Sequence, residues 1–198
     1  MKNWQKMKDD FEPDEDKFHT FIMNRAKKRN CLVYPIKEIN KPDLQNIGNS
    51  GEYFMASILS GAGFTTTITL GRAERYDILA INPKGKTIKL QIKTAWYKTD
   101  SWRLGSKDEQ LFADDFFYVL VRLNEMKESA EYWIIPSRII VKFITESHKI
   151  WLATLGKKGQ KHNDNPGRVF SLKPSKFSPK WWTDKEAEKY YKNVRLLE

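Results

Sequence analysis

Arg75-Tyr76-Asp77-Ile78-Leu79-Ala80-Ile81-Asn82-Pro83-Lys84-Gly85-Lys86-Thr87-Ile88-Lys89-Leu90-Gln91-Ile92-Lys93 reads as two strands about a short turn. Aliphatic and β-branched residues fill both arms, and Pro83-Lys84-Gly85 interrupts them with turn formers. With those three residues as the turn, Asn82 pairs with Lys86, and counting outward sets Asp77 opposite Gln91. Directly paired residues project to one face. Strand side chains alternate, so Gln91 and Lys93 share that face about 6 to 7 Å apart, while Leu90 and Ile92 share the other. The hairpin thus predicts that Asp77, Gln91 and Lys93 converge.

Working outward, Phe64 to Leu70 is rich in Thr and apolar residues and reads as a further strand, which makes a meander with the hairpin. Upstream, Asn46-Ile47-Gly48-Asn49-Ser50 is a polar lead suited to capping a helix. Tyr53, Phe54, Ile58 and Leu59 follow at helical spacing until Gly61 and Gly63 stop the pattern. A helix from about Ser50 to Ser60 sets Glu52 in its first turn. Downstream come a polar loop with Trp102 and Gly105, a short helix near Lys107 to Phe112, strands at Phe116 to Leu123 and Tyr132 to Ile135, and a helix from Ser137 through Ile144. The order helix, five strands, helix indicates an α/β fold with a central mixed β-sheet of about five strands flanked by helices.

Three regions follow. Residues 1–45 read as an N-terminal extension with an acidic patch, a helix over Phe18 to Arg29 and an extended stretch from Leu32 to Ile39. Residues 46–155 form the core. Residues 156–198 hold a basic loop and an aromatic C-terminal helix, Thr183 to Leu197, expected to pack on the core.

A formal net charge of +10 and a pI near 9.5 point to a polyanionic partner, because Lys and Arg that neutralise phosphates release bound counterions. The excess is concentrated late in the chain. From Ser137 to Trp181 ten basic residues face two acids, Glu146 and Asp164, which suits a nucleic-acid face. One cysteine, Cys31, excludes an internal disulfide and a cysteine-rich zinc site. No apolar run approaches the roughly 20 residues of a membrane span, and the polar opening Met1-Lys2-Asn3-Trp4 has no secretory character. A cytoplasmic protein without membrane association is expected.

The converging hairpin residues carry the chemistry. A carboxylate beside an amide oxygen offers the hard oxygen ligands that Mg²⁺ prefers. A lysine on the same face can orient or deprotonate water and balance charge on a phosphate. Asp77, the run Gln91-Ile92-Lys93 and the upstream helix residue Glu52 resemble the PD-(D/E)xK nuclease superfamily, whose fold is restriction-endonuclease-like. The match is to the QxK form of the Mrr-like endonucleases and is similar to the archaeal Holliday junction resolvases. It covers Gly48 to Thr94 in motif detail and the later element order to about Ile144 more loosely.

The resemblance implies a Mg²⁺ site, with Mn²⁺ able to substitute. Asp77 would be the main ligand, Gln91 the second strand ligand, Glu52 the helix carboxylate reaching the metal or its waters, and Lys93 the residue that orients water or stabilises charge. Two positions depart from the pattern. Tyr76 stands where proline often precedes the aspartate, and Gln91 replaces the more usual acid, which removes one negative charge from the metal site.

The implied activity is endonucleolytic cleavage of DNA, of a restriction, repair or mobile-element defence kind. A non-cleaving nucleic-acid- or protein-binding module on the same fold is the alternative. Candidate nucleic-acid contacts are Arg72 and Arg75 before Asp77, Lys107 after the catalytic strand, and Lys157, Lys158, Lys161 and Arg168 in the basic loop. A homodimer would supply two sites for cutting two strands. The loop His162-Asn163-Asp164-Asn165-Pro166-Gly167-Arg168 lacks a second histidine at metal spacing and reads as a basic loop near the substrate, with Arg168 on a phosphate. Trp181, Trp182, Tyr190 and Tyr191 read first as aromatics that close a core or an interface.

Overall fold

The turn Pro83-Lys84-Gly85 forms as its composition demands. Gly85 adopts φ 83°, in the left-handed region open to glycine. Asn82 closes the turn: its N–H donates to Lys86 O at 3.0 Å, and its side-chain carbonyl accepts from the N–H groups of Lys84 and Lys86 at 3.0 and 2.9 Å. The flanking strands β2 (Ile78–Ile81) and β3 (Thr87–Ala95) therefore pair antiparallel, with Ile81 opposite Thr87 and Ile78 opposite Leu90. That is the register read from the turn.

The computed structural model describes residues 40–69 and 75–198. β1 (Thr65–Ile68) lies antiparallel outside β2. On the other side β5 (Phe116–Arg122) joins β3 in parallel, with Gln91 opposite Tyr118 and Lys93 opposite Leu120, and β6 (Glu131–Pro136) closes the sheet antiparallel. The order β1-β2-β3-β5-β6 is a five-stranded mixed sheet, flanked by helices as expected.

α1 (Leu44–Gly61) covers one face. Ile47, Gly51, Met55 and Leu59 recur every four residues and are buried against Ile78, Leu90 and Ile92. The helix starts six residues before the expected Ser50. Asp43 is the cap, accepting from Asn46 N–H at 2.8 Å, so the polar run Asn46–Ser50 lies inside the helix rather than before it.

α2 (Ser137–Ala153) covers the other face and runs nine residues past the expected end at Ile144. Beside it lies a two-stranded antiparallel sheet of β4 (Ser101–Gly105) and β7 (Gly167–Ser171), where the composition predicts loops. Trp102, Leu104 and Phe170 pack there with Tyr118, Leu120, Trp133 and Phe143 into a second core cluster.

The C-terminal segment is not one helix over Thr183–Leu197. α3 spans only Asp184–Glu188, and a single 3₁₀ turn follows at Val194–Leu197. Between them the backbone turns along the outer edge of β6: Ile134 N–H donates to Tyr190 O, and Lys192 N–H to Tyr132 O, both at 3.0 Å. Satisfying an exposed strand edge displaces the helix. Trp182 is buried and stacks on Tyr190, with centroids 6.0 Å apart, so these aromatics close the core.

The expected helix at Phe18 to Arg29, the extended stretch Leu32 to Ile39, and Arg72 lie outside the described residues. No described helix is long and apolar enough to cross a membrane.

Candidate active site

Asp77 stands one residue before β2, where the ladder to β3 ends. Its N–H donates to Leu90 O at 2.8 Å, and its carbonyl accepts from Thr69 N–H at 2.9 Å and from the Thr69 hydroxyl at 3.1 Å. Beyond this rung the side chain takes over the pairing. Asp77 Oδ2 accepts from the Ile92 N–H at 2.6 Å and from Gln91 Nε2 at 2.5 Å. A backbone donor that would otherwise lack a strand partner thus fixes the carboxylate, and the carboxylate holds the neighbouring amide.

Burial pushes the Asp77 carboxyl above its ordinary range. The Ile92 N–H and the charge of Lys93, two residues along from Gln91, act against that rise without cancelling it. Glu52 is also raised, first by burial and then by the negative charge of Asp77. Glu52 thus feels the charge of Asp77, and Asp77 that of Lys93, while Gln91 joins Asp77 through its hydrogen bond.

What brings Glu52 there is its neighbour. Gly51 packs directly on Thr94 of β3, and a Cβ at Gly51 would overlap Thr94 Oγ1 and lie 3.0 Å from both Thr94 Cβ and Cγ2. Only glycine lets α1 approach the strand this closely. The Thr94 hydroxyl is buried under the helix without a hydrogen-bond partner among the described residues. Because α1 begins at Leu44, Glu52 sits mid-helix rather than in the first turn, so the positive end of the helix dipole has no part in its role.

Asp77 and Glu52 are two half-buried carboxylates, both raised first by burial. Asp77 Oδ1 and both Glu52 oxygens accept no hydrogen bond among the described residues. Gln91 turns its nitrogen toward Asp77, and rotating that amide by half a turn would present Oε1 instead. The donor set is then two carboxylates and an amide oxygen, which are hard ligands suited to Mg²⁺ or Mn²⁺. Among the described residues no cluster of three or more His, Cys, Asp or Glu has metal-binding geometry. Further ligands would have to be water, backbone carbonyl or substrate oxygen.

The basic candidates divide. Arg75 is exposed, with φ 77°, and lines a cleft of about 400 Å³ with Tyr76, Lys89, Leu111 and Phe112. The cleft wall is anchored by Asp108, which accepts from Tyr118 Oη at 2.9 Å and Gly105 N–H at 2.6 Å. Lys107, on the adjoining 3₁₀ turn Ser106–Gln110, is exposed, as are Lys157, Lys158 and Lys161 after α2.

Arg168 is different. It is 7% exposed and bonds Glu109 at 2.6 Å and the carbonyls of Asn165 and Gly167 at 2.6 and 2.9 Å. Its guanidinium ties β7 to the 3₁₀ turn rather than facing a phosphate. Its loop is likewise pinned inward. His162 stacks on Trp151 at 4.1 Å, and His148 stacks near that ring at 5.4 Å while bonding Asp164 at 2.7 Å.

Two features escaped the sequence reading: the Gly51–Thr94 contact and the β4–β7 pair. The first had a signal in a glycine preceding Glu52 inside a helical pattern. The second had only the alternation of Ser101-Trp102-Arg103-Leu104-Gly105 and Gly167-Arg168-Val169-Phe170-Ser171.

No family model matches the chain, and no curated protein matches it. Among solved structures it is similar to "a bacterial homing endonuclease: I-Ssp6803I", with 13% identity and a TM-score of 0.48 over 79% of this chain and 93% of that one.

Proposed function

We propose that this protein is a divalent-metal-dependent endonuclease acting on DNA, with Glu52, Asp77, Gln91 and Lys93 as its site. The observation that carries the reading is the cluster at the open end of the hairpin. Asp77 is held by Ile92 N–H and Gln91, and the charges of Glu52 and Lys93 are coupled to it. Asp77, Glu52 and the Gln91 amide oxygen would hold Mg²⁺ or Mn²⁺, which when bound supplies a Lewis acid for the phosphate and acidifies a water.

The chain's own residues do the rest. The Ile92 N–H fixes the orientation of the Asp77 carboxylate before any ligand arrives, which removes a reorganisation cost. Lys93 lies on the same face as Gln91 and offers an ammonium to balance the charge that grows on a reacting phosphate. Arg75, exposed two residues from Asp77, is suited to a neighbouring phosphate. The net charge of +10 draws in the polyanion.

Plasmid and single-stranded DNA cleavage with Mg²⁺ or Mn²⁺ tests this. Asp77→Ala and Lys93→Ala should each lower the rate on the order of 10² to 10³-fold. Cleavage unchanged in both variants would sink the reading.

The second reading is a non-cleaving binding module on the same fold. The 2.5 Å bond from Gln91 Nε2 to Asp77 favours it, since this pairing satisfies the carboxylate without a cation. Calorimetric titration with Mn²⁺ separates the two. Binding lost in Asp77→Ala supports the nuclease, whereas no binding, with salt-sensitive DNA affinity retained, supports the module.

A further inference from the structure

The β4–β7 ribbon has an inner and an outer row. Trp102, Leu104, Arg168 and Phe170 face inward, and Ser101, Arg103 and Val169 alternate with them and are exposed. The pairing sets Arg103 beside Val169 at mid-ribbon, with Ser101 opposite Ser171 at one end and Gly105 opposite Gly167 at the other. One long polar side chain therefore stands in the middle of this outer row, and with Val169 it borders a hollow of about 520 Å³ walled by Ile144, His148, Trp151 and Phe177.

Arg103 also differs from the other ribbon and core arginines. Arg122 and Arg168 each bond an acid within the fold. The Arg103 guanidinium meets no acid, acceptor or aromatic ring among the described residues.

The ribbon is held firmly. Arg122 Nη1 donates to Thr99 O and Asp100 Oδ1, each at 3.0 Å, Leu172 N–H donates to Asp100 O at 2.7 Å, and Phe143 and Phe170 pack with centroids 4.5 Å apart. Its inner row packs with Tyr118 and Leu120, the β5 residues paired with Gln91 and Lys93, so the ribbon covers the same sheet face that carries those two residues.

Shape and charge then select a partner. A five-residue strand pair is about 17 Å long with strands about 4.8 Å apart. The major groove of B-DNA, about 12 Å wide and 8.5 Å deep, admits such a ribbon. Stacked sheets lie about 10 Å apart, so a ribbon packed on β5 and β6 stands about that far above the main sheet. A DNA backbone resting at Asp77 and Lys93 would thus have a groove at the height of Arg103. Lys157, Lys158 and Lys161, exposed in the turn that leads into β7, can meet the phosphates at the groove's rim.

We propose that the β4–β7 ribbon is the sequence-reading element: it enters the major groove of duplex DNA, and Arg103 contacts a guanine through O6 and N7. Val169, beside it, meets a thymine methyl. Duplex RNA is not the partner, because its major groove is too narrow and deep for side chains to read. The proposal takes DNA as partner from the endonuclease reading, but it concerns binding rather than cleavage.

The test is a binding selection from a randomised duplex DNA library with the full chain, in chelator so that nothing is cut. The wild type should enrich a motif containing a guanine. Arg103→Ala should lose the preference at that one position and bind the selected duplex about 10- to 100-fold more weakly, with a much smaller fall in affinity for unrelated duplex from the lost charge. The triple variant Lys157→Ala, Lys158→Ala, Lys161→Ala should weaken all sequences alike and flatten the salt dependence.

The proposal is overturned if the wild type enriches nothing, if Arg103→Ala weakens every sequence equally, or if duplex RNA of the selected sequence competes as well as the DNA. Arg103 is exposed, so an unchanged melting temperature checks that its variant folds. A selected motif from a chain that never cuts leaves this inference standing while the nuclease reading fails. Cleavage without sequence preference does the reverse.

Discussion

β3 and β5 are adjacent strands of one sheet, yet β5 is buried at every residue and β3 only at alternate ones. The β5–β6 half has layers on both faces, with α1 below and α2 with the β4–β7 ribbon above. Among the described residues the β1–β3 half has α1 alone, which leaves Asp77, Gln91 and Lys93 on a shelf at the foot of a wall. A strand buried on both faces reads as a continuous apolar run, Phe116 to Val121, and a strand covered on one face alternates. The difference shows a division of labour. Cohesion is concentrated on one side of the β3–β5 boundary, and polar groups that a closed core would not tolerate are kept on the other.

The largest effect should come from breaking the covered half. Arg122 is 7% exposed, and its guanidinium bonds Asp100 at 3.0 Å and Glu131 at 2.7 Å and lies over the Trp133 ring. Arg122→Ala would strand these acids beside the core and release the start of β4. The expected loss is about 3–5 kcal/mol, or about 6–20 °C in Tm for a chain of this size. Ile81→Thr, on the shelf at 41% exposure, should change stability by no more than about 0.5 kcal/mol. Similar losses in the two variants, read by thermal unfolding, would dissolve the distinction between the halves.

A smaller effect should appear at the seam where α1 meets the shelf. Gly51→Ala places a methyl against Thr94 and should cost about 1–3 kcal/mol as the helix moves away. Glu52 moves with it, so Mn²⁺ affinity should fall about tenfold or more, as when an outer-shell contact to a metal site is lost. Removing the opposing hydroxyl in Gly51→Ala/Thr94→Ala should recover part of both losses. Unchanged calorimetric affinity in Gly51→Ala would separate α1 docking from the site.

How far the molecule could be read from its sequence follows the same boundary. The shelf was legible because a local turn sets it: once Pro83-Lys84-Gly85 closes, alternation dictates which side chains meet Asp77. The start of α1 was misread because Asn46–Ser50 has the composition of a cap, whereas Asp43 performs it and Gly48 and Gly51 remain inside the helix. β4 and β7 were invisible because each is five residues long and its partner is more than sixty positions away. Arg168 looked like a phosphate ligand because a buried ion pair with Glu109 leaves no mark in composition. The break in the C-terminal helix answers a requirement of the β6 edge, which local propensity does not contain.

The two halves should also respond to pH with opposite signs. Glu52 and Asp77 are raised by burial, with the charge of Asp77 adding to the rise at Glu52. A carboxyl that holds its proton more tightly when folded favours the fold fully below its unfolded value, near 4.5 for Glu52, and that advantage is lost as pH rises through the higher folded value. Glu131 in the covered half is shifted the other way. Burial raises it, but hydrogen bonds from Asn124 and Arg122 and the charge of Arg122 outweigh burial and hold it low. Its stabilisation is present above the unfolded value and is lost as pH falls through the lower folded one. In chelator at pH 7, Glu52→Gln should therefore melt above the wild type and Glu131→Gln below it, with both differences shrinking toward zero as pH falls below about 4. Adding Mn²⁺ at pH 7 should reverse the first difference alone, because a cation stabilises the ionised Glu52 that the apo fold disfavours. Melting curves of the two variants that shift in the same direction would mean that Glu52 is an ordinary surface acid.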